Sequence, residues 1–160
     1  MTEGQRLAEF SRAVRDSTIK RLQLVPPGYE NWSTVPQAMS FADLAKHLVE
    51  ADNWLLKMLR NKNLKPVKGR AGLIEVNNRD EFMLLIKKLE TTGNIRAEML
   101  QDLSDDMLSE MIFDERFNRE VTVWWIIVRG NLDHEIHHRG QMAAYLRALG
   151  TTTQSGEKNE

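Results

Sequence analysis

The sequence predicts an all-α fold, an antiparallel four-helix bundle with a long loop between its second and third helices. Apolar residues recur at three- and four-residue spacing in four long segments, and Gly- or Pro-containing stops separate these segments. The one stretch that alternates apolar and charged residues has no evident partner strand.

Thr2 and Gln5 have capping-box spacing, and Leu7, Phe10, Val14 and Leu22 follow at near-helical intervals, so the first helix is expected from Glu3 to about Leu24. Pro26-Pro27-Gly28 stops it. Tyr29 to Met39, with Trp32 and Pro36, lacks a period and reads as an ordered connection. Ser40, with Asp43 three residues on, opens a second helix whose apolar stripe is Phe41, Leu44, Leu48, Ala51 and Leu55. His47 lies on that stripe. From Arg60 to Asn78, Lys62, Lys65, Lys68 and Arg70 stand beside Gly69 and Gly72. This composition reads as a long solvated loop, with a lid or an anion-attracting rim as the alternative.

Asn78 or Asp80 caps the third helix, which carries Phe82, Leu85, Ile86 and Leu89 and continues past Gly93 to Leu103. A short turn is expected around Ser104 to Glu110, and Met111 to Glu120 is expected as loop. The last helix starts near Thr122 and runs through Gly130 and Gly140 to Leu149, before the stop at Gly150. Its stripe reads Trp124, Ile127, Val128, Asn131, His134, His138, Met142, Tyr145 and Leu149. The organisation is therefore one domain, 1–150, followed by a flexible polar tail, 151–160.

Composition narrows the function. A chain of 160 residues is long enough for one real core. Lys plus Arg number 22 against 23 for Asp plus Glu, a balance that argues against a nucleic-acid or membrane-surface partner. There is no cysteine, which removes disulfides, Cys-based zinc sites and an enzyme-borne thiol together, so any sulfur chemistry needs an external thiol. The polar start and the lack of a long apolar run point to a cytoplasmic protein.

Three of the four histidines fall within His134-Glu135-Ile136-His137-His138. Residues four apart share a helix face, so His134 and His138 can aim two imidazoles at one point. Buried imidazoles need partners for both ring nitrogens, and a metal ion supplies one. His47 is the only histidine elsewhere; it reads either as a hydrogen-bonded core residue or as the third ligand. His137 is rotated about 60° from His134 and is free to bond to a ligand, line a pocket or face solvent. Glu135 is an orienter of a metal ligand, a general base or simply an exposed helical glutamate. The string satisfies His-Glu-x-x-His literally, yet no Asp or Glu follows before Glu157 to serve as a third metalloprotease ligand.

The run from His134 through Arg139-Gly140-Gln141 to Gly150 resembles the signature helix of the DinB-like superfamily, which includes the YfiT-type bacillithiol transferases. Ser40 to Trp54 is similar to its second-helix signature. The resemblance implies a four-helix bundle, commonly a homodimer, that holds a divalent metal by His47, His134 and His138, with zinc or nickel foremost and manganese or iron as further options. Gly140 is expected to permit close helix approach, and Arg139 and Gln141 to bond structure around the site. The characterised relatives imply transfer of a low-molecular-weight thiol to an electrophilic small molecule in stress response or detoxification. Three neutral ligands also leave an open position compatible with hydrolysis, or with a metal that only stabilises the bundle. Trp54, Trp124, Trp125 and Tyr145 are candidates for the wall facing the electrophile, and Glu135 and His137 for catalysis.

Overall fold

The computed structural model describes residues 1–61, 65 and 67–151. Lys62 and residues 152–160 of the expected tail lie outside them. The described chain is mostly helical: α1 (Glu3–Gln23), α2 (Phe41–Asn61), α3 (Arg79–Gln101), α4 (Asp105–Ser109), β1 (Met111–Asp114), β2 (Arg119–Thr122), α5 (Val123–Ile127), a π-helical turn (Val128–Leu132) and α6 (Asp133–Ala148).

Helix starts follow local chemistry. Thr2 and Gln5 form the reciprocal capping box of α1. Ser40 and Asp43 do the same for α2, with Asp43 N–H donating to Ser40 Oγ (3.0 Å) and Ser40 N–H to the Asp43 carboxylate (2.9 Å). Asn78 caps α3, Ser104 caps α4 and Thr122 caps α5.

α1 and α2 each pack against both α3 and α6. Two apolar clusters fill the interior. One gathers Leu22, Phe41, Leu44, Leu48, Phe82, Leu89, Met142 and Leu146; the other gathers Leu7, Leu55, Ala97, Leu100, Ile126, Ile127 and Leu132. Reading each helix through these clusters gives its direction. α1 and α6 run from the second cluster to the first, whereas α2 and α3 both run from the first to the second. The expected alternation of direction therefore fails between α2 and α3. A 21-residue helix is about 31 Å long, and the link from Asn61 to Arg79 has enough residues to retrace that length.

Most described residues of that link are exposed, as expected of a solvated loop, yet it is anchored over the start of α2. Gly72 and Ile74 N–H both donate to the Asp43 carboxylate (3.0 and 2.9 Å), and Asn31 bonds both backbone groups of Val76 (3.0 and 2.7 Å). A single carboxylate thus caps α2 and fastens the returning strand of chain over its start.

Two local expectations are corrected. Met111 to Glu120 is not loop: β1 and β2 pair antiparallel, with Ile112 opposite Val121 and both buried, around a turn in which Asn118 takes a positive φ of 50°. The missing partner strand was the other half of the same stretch. The last helix is also interrupted. The π turn inserts an extra residue and rotates the helix face, so the stripe drawn through Trp124 goes out of phase. Val123, Ile126 and Ile127 are buried there, and Trp124 is exposed, donating its indole N–H to Glu3 (3.1 Å). Phe10, placed on the stripe of α1, is likewise exposed.

Candidate metal centre

His47 comes from the second turn of α2, and His134 and His138 from the first turns of α6, just past the π turn. Their Nε2 atoms converge. His134 Nε2 lies 2.9 Å from His47 Nε2 and 3.0 Å from His138 Nε2. One ligand nitrogen from each lies within 4.8 Å of the others. His138 Nδ1 donates to Gln141 Oε1 (2.6 Å), which leaves its Nε2 as a bare lone pair aimed at the common point. Gln141 thus does bond the site, as expected.

Burial, then the charges of neighbouring histidines, depresses the basicity of this cluster. His47 is held down to about 4 and His134 to about 3, where the Arg116 guanidinium also contributes; His138 is lowered by burial against the opposing bond to Gln141. All three are neutral at pH 7. One proton among three converging nitrogens makes a single N–H···N bond and leaves another lone pair facing its like. A divalent cation satisfies all three, and tetrahedral ligation at about 2.0–2.1 Å spaces nitrogens only about 3.3–3.4 Å apart. The donor set fits a metal. His47 Nδ1, also buried, has no hydrogen-bond partner among the described residues.

The cluster opens on a cavity of about 820 Å³. Its floor includes Met39, Ala51 and Trp54, and its rim Lys65, Val67, Lys68, Glu115 and Arg116. The basic link between α2 and α3 is therefore a rim. Gly69 packs its backbone on the site: a Cβ there would stand 2.7 Å from Met39 Sδ and 3.0 Å from His47 Cδ2. His137 is exposed and lines the same cavity at its mouth.

Other candidates lie elsewhere. Glu135 points away from the histidines into a buried ion network. Arg15 donates to Glu135 through Nε (2.8 Å) and Nη2 (2.9 Å), and to Asp52 through Nη1 (2.8 Å) and Nη2 (3.1 Å). Arg96 Nη1 bonds Glu135 (2.6 Å), Asp52 (3.0 Å) and Asn131 (3.1 Å). Thr18 and Thr92 hydroxyls complete the two carboxylates. Burial pushes Glu135 up, but the two guanidiniums outweigh it and hold the carboxyl at about 2. A carboxylate saturated by two guanidiniums and turned about 100° from His134 around α6 is no general base for this site, so the candidate role of Glu135 is withdrawn, and the protease reading with it. Of the aromatic candidates only Trp54 lines the cavity. Tyr145 packs on Trp32 and Phe41 and donates to Met39 O (2.9 Å), while Trp125 packs on Phe117. Gly140 has open space where its Cβ would be, so close helix approach does not explain it.

Sequence reasoning missed Arg116. The hairpin turn delivers it over the Trp54 ring, 4.6 Å from the centroid, where Asp114 grips it through Nε (3.0 Å) and Nη2 (2.7 Å). The signal was present in Asp114-x-Arg116 within the alternating stretch and in Gly130, whose absent side chain leaves the space that the guanidinium occupies.

A mostly helical chain that converges three histidines from two helices beside an open cavity has the design of a metal-binding helical protein. The chain belongs to the DinB family, whose profile matches residues 1–157. It is similar to the uncharacterized protein YjoA of Bacillus subtilis (strain 168), at 20% identity over 153 residues covering 95% of this chain and 94% of that protein. The crystal structure of YjoA, a DinB-like protein, matches with a TM-score of 0.69 at 20% identity over 92% of this chain and 94% of that one, a likeness of fold. Among the described residues no helix is long and apolar enough to cross a membrane.

Proposed function

We propose that this protein is a metal-dependent S-transferase that joins a low-molecular-weight thiol to an electrophilic small molecule, as a cytoplasmic stress or detoxification enzyme built on a homodimeric four-helix bundle with a long loop between its second and third helices. The observation that carries the reading is the convergence of three neutral Nε2 atoms at the wall of an open cavity. A closed structural zinc site takes four protein ligands; three leave room for a reactant.

His47, His134 and His138 hold the ion, with zinc or nickel as the leading candidates. A divalent ion bound there supplies Lewis acidity that lowers the pKa of a thiol or a water at neutral pH. Gln141 keeps the proton of His138 on Nδ1 and so keeps its Nε2 available. Trp54 and Met39 offer the electrophile an apolar surface that excludes water. His137 stands at the mouth within the same cavity, placed to exchange a proton with the departing group. The absence of cysteine supports an external thiol.

The test is elemental mass spectrometry on protein purified without an affinity tag, for the wild type beside His47→Ala and His138→Ala. About one equivalent of metal, lost in both variants, is expected. Thiols and electrophiles are then screened with the loaded wild type. Product formed without added thiol would replace transfer by hydrolysis, and metal binding with no turnover would leave a non-catalytic metal protein. A wild type that takes up none of zinc, nickel, manganese or iron would remove the reading altogether.

A further inference from the structure

We infer that the ligand of the histidine cavity carries an anionic group, a carboxylate or a phosphoryl, and that Arg116, aided by Lys68 of the same lining, is the residue that selects it. This deepens the proposed function and rests on it only for the ligand being a thiol or its acceptor.

A guanidinium has five N–H donors in a fixed plane. Arg116 spends Nε–H and one Nη2–H on Asp114 and one Nη1–H on Gly130 O (3.3 Å), so one N–H on each Nη has no acceptor among the described residues. These remaining donors belong to a group already fixed on three sides. Asp114, 2% exposed, holds one edge; Trp54 lies under the face; and Gly130 gives up its side-chain volume, since a Cβ there would collide with Arg116 Nη2. Asp114 stays ionised beside this partner, its carboxyl lowered by the Arg116 bonds against the opposing effect of burial. Such immobilisation is the preparation a planar, two-point acceptor rewards, because little entropy remains to be lost on binding.

The charge balance of the cavity points the same way. Lys65 and Lys68 stand on its rim, and Glu115 is the single carboxylate among its lining residues. Three neutral imidazoles add no negative charge to oppose them. Asp114 cancels the formal charge of Arg116 but uses only part of its hydrogen-bonding capacity, so Arg116 contributes direction and the lysines contribute field.

Calorimetry on the full-length, zinc-loaded chain compares mercaptopropionate with mercaptopropanol, two thiols that differ at the far end in a carboxylate against a hydroxyl. The carboxylate is expected to bind about tenfold more tightly, the usual range for a charge-assisted bond. That preference is expected to fall to about twofold in Arg116→Lys, which keeps a cation beside Asp114 but loses the planar donors, and to weaken in Lys68→Gln. A wild type that binds the two thiols equally, or a preference unchanged in both variants, overturns the inference. Succinate and inorganic phosphate, titrated into the same chain without metal, identify the source: the tighter of the two names the anion, and neither binding in an Arg116-dependent way counts against the site. Zinc uptake on the same samples separates the two levels. Uptake without anion preference removes this inference alone, whereas Arg116-dependent succinate binding without uptake removes only the metal reading.

Discussion

Two adjoining faces of α6 bury polar groups in opposite ways. On one face Glu135 joins Asp52, Arg15 and Arg96 in a network of two anions and two cations in which each charge has several partners. On the adjoining face, His134 and His138 meet His47 with more lone pairs than protons. The network lies between the two apolar clusters, crossing the helices at mid-length, and Gly93 in α3 makes room for Arg15, whose Nη1 would sit 2.6 Å from a Cβ there. A closed set of donors and acceptors has nothing left to offer a ligand. An open set, placed at a cavity wall, has. Saturation therefore separates the structural from the functional polar cluster more sharply than burial does, for residues adjacent in sequence and in a single helix.

The comparison breaks first at the network. Arg96→Ala should destabilise the chain by about 3–5 kcal/mol, because it strips the buried carboxylates of Asp52 and Glu135 of a shared partner. Urea denaturation measures it, and a loss below about 1 kcal/mol would mean that the network contributes little to stability. His47→Ala in metal-free protein should cost far less, since it removes a side chain with an unpartnered nitrogen. Addition of zinc should then narrow the difference: at one hundred times its dissociation constant an ion stabilises the wild type by about 2.7 kcal/mol and leaves His47→Ala unmoved.

Acid should separate the two faces by their pH windows. Both sets of groups bind protons less readily folded than unfolded, so the unfolded chain takes up protons first and stability falls as pH drops. For the metal-free histidines the fall begins near 6.5 and ends near 3 to 4; for Glu135 it begins near 4.5 and continues to about 2. Thermal melts of the metal-free protein across this range should show two successive declines, with the upper one missing in a variant lacking His47 and His134. A single decline below pH 4.5 would show that the histidines titrate normally in the fold. The smallest expected effect is at Gly140, exposed in α6 with open space at its Cβ position. Gly140→Ala should stabilise the helix by about 0.5–1 kcal/mol without altering metal content.

Several features were legible along the chain because their causes are local. The caps at Thr2, Ser40, Asn78 and Thr122 bond within three residues, and the four-residue spacing of His134 and His138 follows from helix pitch. His47 was singled out by being the only other histidine. The hairpin went unseen because each strand has four residues and finds its mate only across a turn. Trp124 was misplaced because a π turn shifts phase without any composition mark that a helical period could register. Glu135 was misread for a different reason: whether a helical glutamate meets water, a metal or two arginines depends on what the other helices bring, and Arg15 and Arg96 are 120 and 39 residues away in sequence.

By itself, then, the sequence determined the helices, their caps, the absence of a protein-borne thiol and the histidine trio, all of which follow from spacing or residue type. Only the tertiary structure decided that α2 and α3 run the same way, that the basic link forms a rim, that Arg116 overhangs Trp54 and that Glu135 is structural. Each of these depends on the packing of distant elements, where a side chain's partners are set by the folded arrangement and not by its neighbours in the chain.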